Sequence, residues 1–502
     1  MSTALNAARR ERELAGLAEL TEPVDVLVIG GGVTGTGVAL DAAARGLSVV
    51  LVEKHDLAFG TSRWSSKLVH GGLRYLASGA IGIAHESAVE RGILMTRTAP
   101  HLVHALPTLV PLLPGLTVRS AALIRAGFAA GDALRVAART PARVLSRSRH
   151  IRPSRVKDYA PTVRTDGLRG GLLAFDGQLA DDARLVVAIA RTASGVGARI
   201  VTRCAAAQVT GHGAVLRDTL TGATTDLDAR MVINAAGVWA DQLTPGISLR
   251  PSRGTHLVFS QHRFGGLTAG LTVPVSGTIN RFVFALPAPD HRVYVGLTDE
   301  PAPGPVPDVP TPDDDEIDFL IETINTALRE PLARADLLGT YSGLRPLLDT
   351  GGDSTADISR KHAVITAPDG LVTVVGGKLT TYRRMAQDAL DAALAAAGVA
   401  ADPCVTPRLP LVGAGPVRRG LPAHLVRRYG TEAADVVAAA AGDPALLEPV
   451  ADGVDTTAAE FRFAVTHELA LDETDLLERR TRVGLSAAAA DQARSAARAA
   501  LA

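Results

Sequence analysis

Cationic residues stand beside glycines at three places in the sequence, where short loops can hold a side chain in one position. Arg74 follows a glycine pair by two residues, Arg345 lies in the run SGLRP, which reads as a tight turn, and Lys378 directly follows a second glycine pair. Guanidinium groups bind phosphate oxygens through two parallel hydrogen bonds. We therefore predict an anion-binding pocket; a solvated surface charge is the alternative for each arginine. The predicted substrate-binding residues are Arg74, Tyr75, Arg281, Arg345, Arg360 and Lys378.

A histidine and an aspartate are the candidates for moving a proton in that pocket. His256 lies in the strand-like run GTHLVF, and an imidazole with its ordinary pKa of about 6.5 can accept a proton near neutral pH. A histidine with a purely structural role is the alternative. Asp299, which closes the run GLTD, could act as the base or orient a neighbouring cation. The predicted catalytic residues are His256, Asp299, Arg345 and Lys378.

A glycine fingerprint typical of dinucleotide binding lies near the N-terminus. Gly30, Gly32 and Gly35 satisfy G-x-G-x-x-G directly after a short apolar run and at the start of a helical pattern. The first glycine allows a tight turn, the second lets the backbone approach a pyrophosphate, and the third lets helix and strand pack closely. Glu53 ends the next apolar run, where its carboxylate can accept hydrogen bonds from the adenosine ribose. The fingerprint indicates FAD or NAD, with a structural glycine turn as the alternative.

The segment that follows Glu53 favours FAD over NAD. From Gly60 to Gly72 the sequence GTSRWSSKLVHGG is rich in hydroxyl groups and glycines, as suits a loop along a long cofactor. Lys378, at the entry to a helix predicted from about Thr380, would bring an ammonium to the flavin edge on which negative charge builds up during reduction. Besides the fingerprint and Glu53, the predicted cofactor-binding residues are Thr61, Ser62, Ser65, Ser66, Lys67, Leu68, Gly71, Gly72, Gly237, Gly376, Gly377, Lys378, Leu379 and Thr380.

The elements that position these residues predict an α/β fold. Apolar runs from Val24 to Ile29 and from Leu47 to Val52 flank a helical pattern from Val33 to Arg45, which together form a βαβ unit and hence a parallel sheet. Similar passages recur further along the chain. We therefore predict one discontinuous FAD-binding domain, formed by residues 22–100, 176–248 and 355–398.

Three further segments complete the predicted architecture. Alternating strand-like runs within residues 249–354 predict a substrate-binding domain with an antiparallel sheet. Residues 101–175 predict a basic and apolar insertion. Residues 399–502 are alanine-rich and predict a helical C-terminal domain, and residues 1–20 predict a short exposed helix.

Composition excludes several classes of function. Lys+Arg and Asp+Glu both number 52, so the chain has no net field that would attract nucleic acid. The two cysteines, Cys204 and Cys404, are far apart and lack metal-ligand spacing, which argues against disulfides and a metal site and favours the cytoplasm. Neither a signal peptide nor a membrane-spanning run is predicted.

One segment predicts contact with a membrane surface. Between Arg119 and Lys157 ten basic residues occur with a single acid, Asp132, and apolar residues such as Leu123 and Phe128 lie between them. Such a mixture suits the headgroup region, where each basic residue adds about 1 kcal/mol of attraction to anionic lipid. A solvated helical insertion is the alternative.

A family resemblance covers essentially the whole chain. Residues 25–76 resemble the N-terminus of bacterial FAD-dependent glycerol-3-phosphate dehydrogenases, and the run SSKLVHGGLRYL is highly specific to them. Arg63 and Trp64 stand where a more hydroxyl-rich pair is common, and Phe175 stands where many members have tyrosine. The likeness continues in order through DDARLVVAIA, NAAGVWAD, GTHLVF, VYVGLTD, TYSGLRPL, VVGGKLTTYR and DLLERRTRVGL.

The resemblance implies a glutathione-reductase-like FAD-binding domain with noncovalent FAD, an antiparallel sheet over the flavin and a helical C-terminal domain. It implies oxidation of sn-glycerol 3-phosphate to dihydroxyacetone phosphate by hydride transfer to FAD, with the electrons passed to a membrane quinone. It also favours peripheral docking of a cytoplasmic protein on anionic lipid at the inner face of the cell membrane. The alternatives are an oxidase that uses oxygen, a related FAD amine oxidase and a flavin-binding scaffold without activity. A homodimer is left open.

Overall fold

The computed structural model describes residues 2–72, 79–278, 281–349 and 361–502. Within these ranges the strands are β1 (Val24–Ile29), β2 (Val49–Val52), β3 (Leu68–Val69), β4 (Val103–Pro111), β5 (Arg149–Ile151), β6 (Gly171–Leu179), β7 (Arg199–Val201), β8 (Cys204–Thr210), β9 (Gly213–Asp218), β10 (Thr224–Asn234), β11 (Ser252–Ser260), β12 (Gly270–Pro274), β13 (Phe282–Ala288), β14 (Arg292–Gly296), β15 (Glu300–Pro301), β16 (Leu337–Arg345), β17 (Ala363–Thr366) and β18 (Val372–Val375). The helices are α1 (Ala7–Ala18), α2 (Val33–Ala44), α3 (Ile81–Ile93), α4 (Val118–Ala137), α5 (Pro153–Val156), α6 (Asp182–Gly195), α7 (Asp314–Asn325), α8 (Tyr382–Ala397), α9 (Ala423–Tyr429), α10 (Ala433–Ala438), α11 (Ala458–His467) and α12 (Ala487–Leu501).

The first sheet has the strand order β17-β18-β10-β1-β2-β7. β1 lies parallel to both β2 and β10, with Val28 opposite Leu51 on one side and Ile233 on the other. Strands buried on both faces read as continuous apolar runs, which is why VDVLVI and VVLV are so apolar. The predicted βαβ unit is confirmed, although β2 begins at Val49 rather than at Leu47.

Helices α2, α6 and α8 share the main hydrophobic core with this sheet. Val38 and Ala42 from α2 and Ala389 from α8 are fully buried there. Thirteen of the fourteen residues of α6 are buried, and its N-cap, Asp181, accepts hydrogen bonds from the backbone of Ala183 and Arg184. The helix predicted from about Thr380 begins two residues later, at Tyr382.

The second sheet is mostly antiparallel and has the order β15-β11-β14-β13-β12-β4-β6-β3, with β16 paired to β11 and β5 paired to β6. The strand-like runs LVF, FVFAL and VYVGL lie in β11, β13 and β14, so the predicted antiparallel sheet is confirmed. Arg345 is the last residue of β16 rather than part of a tight turn, since the run SGLR continues the pairing with β11.

The segment predicted as an insertion, 101–175, contributes strands to this second sheet. β4 pairs with β6 from Val103 opposite Leu179 to Pro111 opposite Gly171, and β12 joins β4 on its other edge. Helix α4 packs Ala121, Ile124 and Phe128 against Val110 and Leu172 of these strands and against Leu112, which directly follows β4. Helix α4 therefore lies on the sheet with one face and exposes the other.

The sequence predicted an exposed N-terminal helix, but one side of α1 is buried. Arg10 and Leu17 of α1 are buried, and Arg10 forms an ion pair with Asp218. The apolar side of α1 joins a cluster with β1, β2 and the β8–β9 hairpin. Helix α1 thus closes one face of the first sheet.

Residues 399–502 form helices α9 to α12, with a π-helical turn at Asp475–Arg480. Buried ion pairs join this part of the chain to the first sheet. Arg184 of α6 makes two hydrogen bonds to Glu468, of 2.7 and 2.8 Å, and Asp56 accepts hydrogen bonds from Arg479 and Arg480. Burying an ion costs several kcal/mol unless a partner compensates it, so each pair fixes the docking of the helical region.

No helix within the described ranges is long and apolar enough to cross a membrane.

Replacing Glu468 by Gln should destabilise the protein by about 3–5 kcal/mol at pH 7, because Arg184 would remain buried without its carboxylate. Burial alone would raise the pKa of Glu468, but Arg184 and Arg191 lower it to about 2. The carboxylate therefore stabilises the fold above its unfolded pKa of about 4.3 and loses this effect as pH falls towards 2. Thermal melting from pH 7 to pH 3 should show the wild-type and variant midpoints converging with acidification.

Asp491→Asn is the matched control, since Asp491 is an exposed carboxylate of α12 paired to Arg494 at 3.3 Å. Loss of this exposed pair should change stability by no more than about 0.5 kcal/mol. Equal effects of the two substitutions at pH 7 would contradict the role assigned to the Arg184–Glu468 pair.

Candidate active site

A cavity of about 3050 Å³ separates the carboxyl ends of β1, β10 and β18 from one face of the second sheet. Ligands of open parallel sheets bind outside these strand ends. The loops after β1, β10 and β18 line it at Gly30, Gly237 and Gly376, whereas β11 and β16 contribute His256 and Arg345. The cavity thus places the dinucleotide fingerprint and the predicted chemical residues around one space.

Gly30 and Gly35 have the turn and the close packing that the sequence predicted for them, whereas the predicted contact of Gly32 with a pyrophosphate stays a prediction. Gly30 has φ +114°, and a Cβ there would lie 2.5 Å from the carbonyl oxygen of Ala235. A Cβ at Gly35 would lie 1.9 Å from the carbonyl oxygen of Gly30, so α2 can approach β1 only with glycine at that position. Gly32 is the N-cap of α2 and lines the cavity with Val33. The N-terminus of α2 therefore faces the space where a pyrophosphate would bind.

Glu53 follows β2 at the edge of the same cavity. Its Oε2 accepts a hydrogen bond of 2.7 Å from the backbone of Gly31, and its Oε1 accepts one of 2.8 Å from that of His55. Burial raises the pKa of Glu53, and the two backbone hydrogen bonds oppose this rise. His55 stacks on Phe59 at 3.9 Å beside it, so this end of the cavity has flat aromatic surface for an adenine.

The loop from Gly60 to Gly72 follows the cavity and is held from several sides. Ser62 Oγ accepts a hydrogen bond of 2.9 Å from the backbone of Val33, and Thr61 Oγ1 donates one of 2.6 Å to Leu344. The predicted cofactor residues of this loop that line the cavity are Thr61, Ser62, Ser65, Ser66, Leu68 and Gly72.

Lys67 and Gly71 were predicted to bind the cofactor, but they do not line the cavity. Lys67 is buried on the other side of the loop, where its Nζ lies 3.2 Å from Asp182. Gly71 instead allows close packing, because a Cβ there would lie 2.0 Å from the guanidinium of Arg91.

The second glycine pair forms another wall of the cavity. Gly376 and Gly377 have φ of +75° and +73°, a conformation that favours glycine. Lys378 follows them into the cavity, and its Nζ donates a hydrogen bond of 2.7 Å to Ser87 of α3. Leu379 and Thr380 line the cavity as predicted.

Arg345 lies at the end of β16 with its guanidinium over β11. Its Nη1 is 3.1 Å from Asp299 Oδ1, and Ser252 Oγ donates a hydrogen bond of 2.6 Å to the same carboxylate oxygen. A Cβ on Gly254 would lie 2.4 Å from Arg345 Nη2, so this glycine leaves room for the guanidinium. Asp299 therefore orients a cation, which is one of the two roles predicted for it.

Arg281 lies at the cavity rim, exposed and 3.9 Å from Glu300. The predicted substrate-binding residues Arg74, Tyr75 and Arg360 lie outside the described residues.

His256 lines the cavity although only 2% of its surface is exposed. Its Nε2 lies 2.9 Å from Ser66 Oγ, and its ring stacks on Tyr341 at 4.7 Å. Burial, together with the charges of Lys67 and Arg345, lowers the pKa of His256 well below 6.5. His256 is therefore a neutral imidazole at physiological pH.

A second histidine, His70, was not predicted from the sequence. It lines the cavity with its side chain half exposed, and its Nδ1 lies 3.2 Å from Asp176 Oδ2. Burial would raise the pKa of Asp176, but Arg91 and His70 lower it to about 2, so its carboxylate is ionised. A histidine oriented by a carboxylate is an arrangement typical of a general base. The sequence feature that could have indicated His70 is its position directly before the Gly71–Gly72 pair.

The residues around the cavity fit FAD. The positive end of α2 suits a pyrophosphate, Glu53 suits a ribose, and the hydroxyl-rich loop continues towards Lys378 and the two histidines. Within the described residues no group of histidine, cysteine and acidic side chains could hold a metal ion. The arrangement can therefore position a long dinucleotide against an anionic substrate and a proton acceptor.

Fold and site together define an FAD-dependent oxidoreductase. The family model described as FAD dependent oxidoreductase matches residues 25–383, and the model described as C-terminal domain of alpha-glycerophosphate oxidase matches residues 404–502.

Relatives narrow the class further. The chain is 61% identical over 495 residues to glycerol-3-phosphate dehydrogenase 1 of Mycobacterium tuberculosis, with 96% of both chains covered. It is 38% identical to glycerol-3-phosphate dehydrogenase of Mycobacterium leprae, over 93% of this chain and 82% of that protein. The structure of glycerol-3-phosphate dehydrogenase from Bacillus halodurans with FAD matches at a TM-score of 0.74 and 26% identity, over 98% of this chain and 92% of the other. The chain belongs to the family of FAD-dependent glycerol-3-phosphate dehydrogenases.

Gly35→Ala should abolish stable FAD binding, because the new Cβ would push α2 away from Gly30 and displace its N-terminus. Forcing atoms into a packed site costs about 1–3 kcal/mol or more. The FAD content per purified chain and the melting temperature should both fall. Gly16→Ala in α1 is the control, since nothing lies within 4 Å of the added Cβ. A Gly35→Ala protein with full FAD content and unchanged melting would contradict this packing argument.

Proposed function

We propose that the protein oxidises sn-glycerol 3-phosphate to dihydroxyacetone phosphate by hydride transfer to FAD and passes the electrons to a membrane quinone. The observation that carries this proposal is the presence of Arg345, Lys378 and two histidines in the cavity that the dinucleotide fingerprint also lines. The names of the mycobacterial and Bacillus relatives support the choice of substrate.

Arg345 is the proposed phosphate-binding residue of the described part of the cavity. Asp299 and Ser252 hold one edge of its guanidinium, and Nη2 donates a hydrogen bond of 3.2 Å to the carbonyl of Thr298. A fixed guanidinium loses little side-chain entropy when it binds an anion. Arg74 and Arg360 remain predicted partners in the same cradle.

Oxidation of the alcohol requires a group that accepts the hydroxyl proton. His256 is neutral at physiological pH and can accept a proton at once, with Ser66 as its hydrogen-bonded neighbour. His70, with Asp176 behind it, is the second candidate and is more exposed to the cavity. Bound FAD would supply the acceptor for the hydride that leaves C2 of the alcohol.

The basic segment supports docking on a membrane. Of its ten basic residues, all except Arg135 are exposed; Arg135 is buried and donates a hydrogen bond of 2.9 Å to Thr140. The apolar side chains of Val118, Leu123 and Val136 are also exposed, by 73%, 57% and 60%. Exposed apolar residues among cations suit the interface of anionic lipid. We therefore propose a peripheral protein on the cytoplasmic face of the membrane.

The cavity also extends to helix α4, which supports a quinone as acceptor. Val110, Leu113 and Phe128 line this arm of the cavity, so an apolar molecule could pass between the lipid surface and the flavin site. An oxidase that uses oxygen would need no such route, and an amine oxidase would need no phosphate-binding arginine.

Anaerobic addition of glycerol 3-phosphate to the purified yellow protein should bleach the FAD band, whereas glycerol should not. Arg345→Ala should raise the dissociation constant of the substrate about 100-fold, as expected for loss of charge-assisted hydrogen bonds. Gly254→Ala, which crowds the guanidinium, should raise the dissociation constant of the substrate about 10-fold with FAD still bound.

The proton acceptor is tested with His70→Asn and His256→Asn. The variant that lacks the proton acceptor should lose about 100-fold or more in the limiting reduction rate.

The control for these variants is Arg263→Ala, because Arg263 is absent from the cavity lining and pairs with Asp336 at 3.1 Å. It should bleach like the wild type. Absence of bleaching by glycerol 3-phosphate in the wild type would reject the proposed substrate. After bleaching, a short-chain quinone should restore the band faster than dissolved oxygen; the reverse order would favour the oxidase.

Arg119→Gln/Arg125→Gln should weaken binding to phosphatidylglycerol vesicles on the order of 30-fold, because each cation contributes about 1 kcal/mol at an anionic surface. Binding to neutral phosphatidylcholine vesicles should be weak for both proteins. Arg329→Gln/Arg498→Gln removes two exposed arginines elsewhere and should bind like the wild type. Cosedimentation with vesicles measures the difference, and equal loss in both double variants would contradict docking through the basic segment.

A further inference from the structure

Trp64, Tyr341 and His256 form a stack of three rings, of which Trp64 and His256 line the cavity. The indole of Trp64 stacks on Tyr341 with 5.8 Å between centres, and the imidazole of His256 stacks on the same tyrosine at 4.7 Å with an angle of 10° between the planes. Tyr294 contacts Tyr341 edge-on at 5.6 Å. The Tyr341 hydroxyl donates a hydrogen bond of 3.1 Å to the backbone of Ser65. The orientation of His256 therefore depends on where Tyr341 is held.

Lys67 is a buried cation that contacts this stack of rings at Tyr341. Only 3% of the residue is exposed, and its Nζ lies 4.2 Å from the centre of the Tyr341 ring. The ammonium is 3.2 Å from Asp182 Oδ2 and donates hydrogen bonds to the carbonyls of Ser65 and Arg63, of 2.9 and 3.2 Å. A cation is attracted to the face of an aromatic ring, and the attraction is stronger when the cation is removed from water. Lys67 thus ties the loop, α6 and the tyrosine together without entering the cavity.

We propose that Lys67 is a positioning residue for His256: through its contact with Tyr341 it fixes the ring on which the imidazole stacks. Positioning by Lys67 is independent of the substrate, whereas the use of His256 as a proton acceptor rests on the proposed function.

The charges around both groups are consistent with this role. Among the residues that the structure describes, the charged groups that act on His256 are Lys67 and Arg345, and both oppose a positive imidazole. Lys67 itself faces Asp182 and Asp181 at the start of α6 and Arg482 from the C-terminal region. Burial lowers the pKa of Lys67 to about 8, against the opposing effect of Asp182, so its ammonium persists at neutral pH.

The test compares the holoenzyme with Lys67→Met/Asp182→Asn, which removes both buried charges together and leaves neither one unpaired. The FAD absorbance is titrated without substrate from pH 4.5 to pH 9. The part of the change that depends on His256 is identified by adding His256→Asn. We expect this part to occur at a higher pH in the double variant than in the wild type, by up to about one pH unit, because Lys67 opposes a positive imidazole whereas Asp182 is not among the groups that act on the pKa of His256. Lys67→Arg should retain the wild-type titration.

Kinetics provide a second measurement. With the proposed substrate, the double variant should lose about 10-fold or more in the limiting reduction rate with little change in substrate affinity, because Lys67 does not line the cavity. A titration unchanged from the wild type, or one that persists in the presence of His256→Asn, would overturn the proposal. If glycerol 3-phosphate fails to bleach the flavin while the titration shifts as expected, the proposed function fails and the positioning role stands.

Discussion

Asp182 is fully buried at the first turn of α6, and its charge must be compensated there. The compensation comes from the loop between Gly60 and Gly72. The backbone and hydroxyl of Ser65 donate hydrogen bonds of 2.9 and 2.7 Å to Asp182, and Lys67 lies 3.2 Å from it. This carboxylate therefore holds Ser65 and Lys67 of the loop against the start of α6. Through Lys67 it also acts on Tyr341, the ring on which His256 stacks.

The C-terminal region acts on the site from a distance. No described residue between 399 and 502 lines the cavity, yet Arg482 donates a hydrogen bond of 2.6 Å to the carbonyl of Arg63, and Glu478 forms an ion pair with Arg63. Arg482 also lies 5.0 Å from the Trp64 ring, which stacks on Tyr341. The helical region therefore supports the loop that borders the cavity through Arg63 and Trp64, although none of its own described residues lines the cavity.

Local rules predicted the parts of the site that depend on local geometry. The fingerprint glycines, Glu53 and the Gly376–Gly377 pair lie where the sequence placed them, because strand, turn and helix follow directly in the chain. Lys67 was misplaced because its backbone has φ +55°, a left-handed conformation that the sequence does not indicate at a lysine and that turns the side chain away from the cavity. His70 was missed because its partner, Asp176, lies 106 residues away on β6. Arg345 was assigned to a turn because its pairing partner, β11, was not part of the local pattern.

The pairing of Asp56 with Arg480 joins residues 424 positions apart, and that of Arg63 with Glu478 joins residues 415 apart. During synthesis, chains begin to fold from the N-terminus before the last residues have left the ribosome. The loop from Gly60 to Gly72 is made early, but the buried charges of Arg63 within it and of Asp56 before it gain these partners only when nearly the whole chain has been made. A ribosome-bound chain that ends before Glu478 can therefore form the βαβ unit while neither charge yet has the partner that Glu478 or Arg480 supplies.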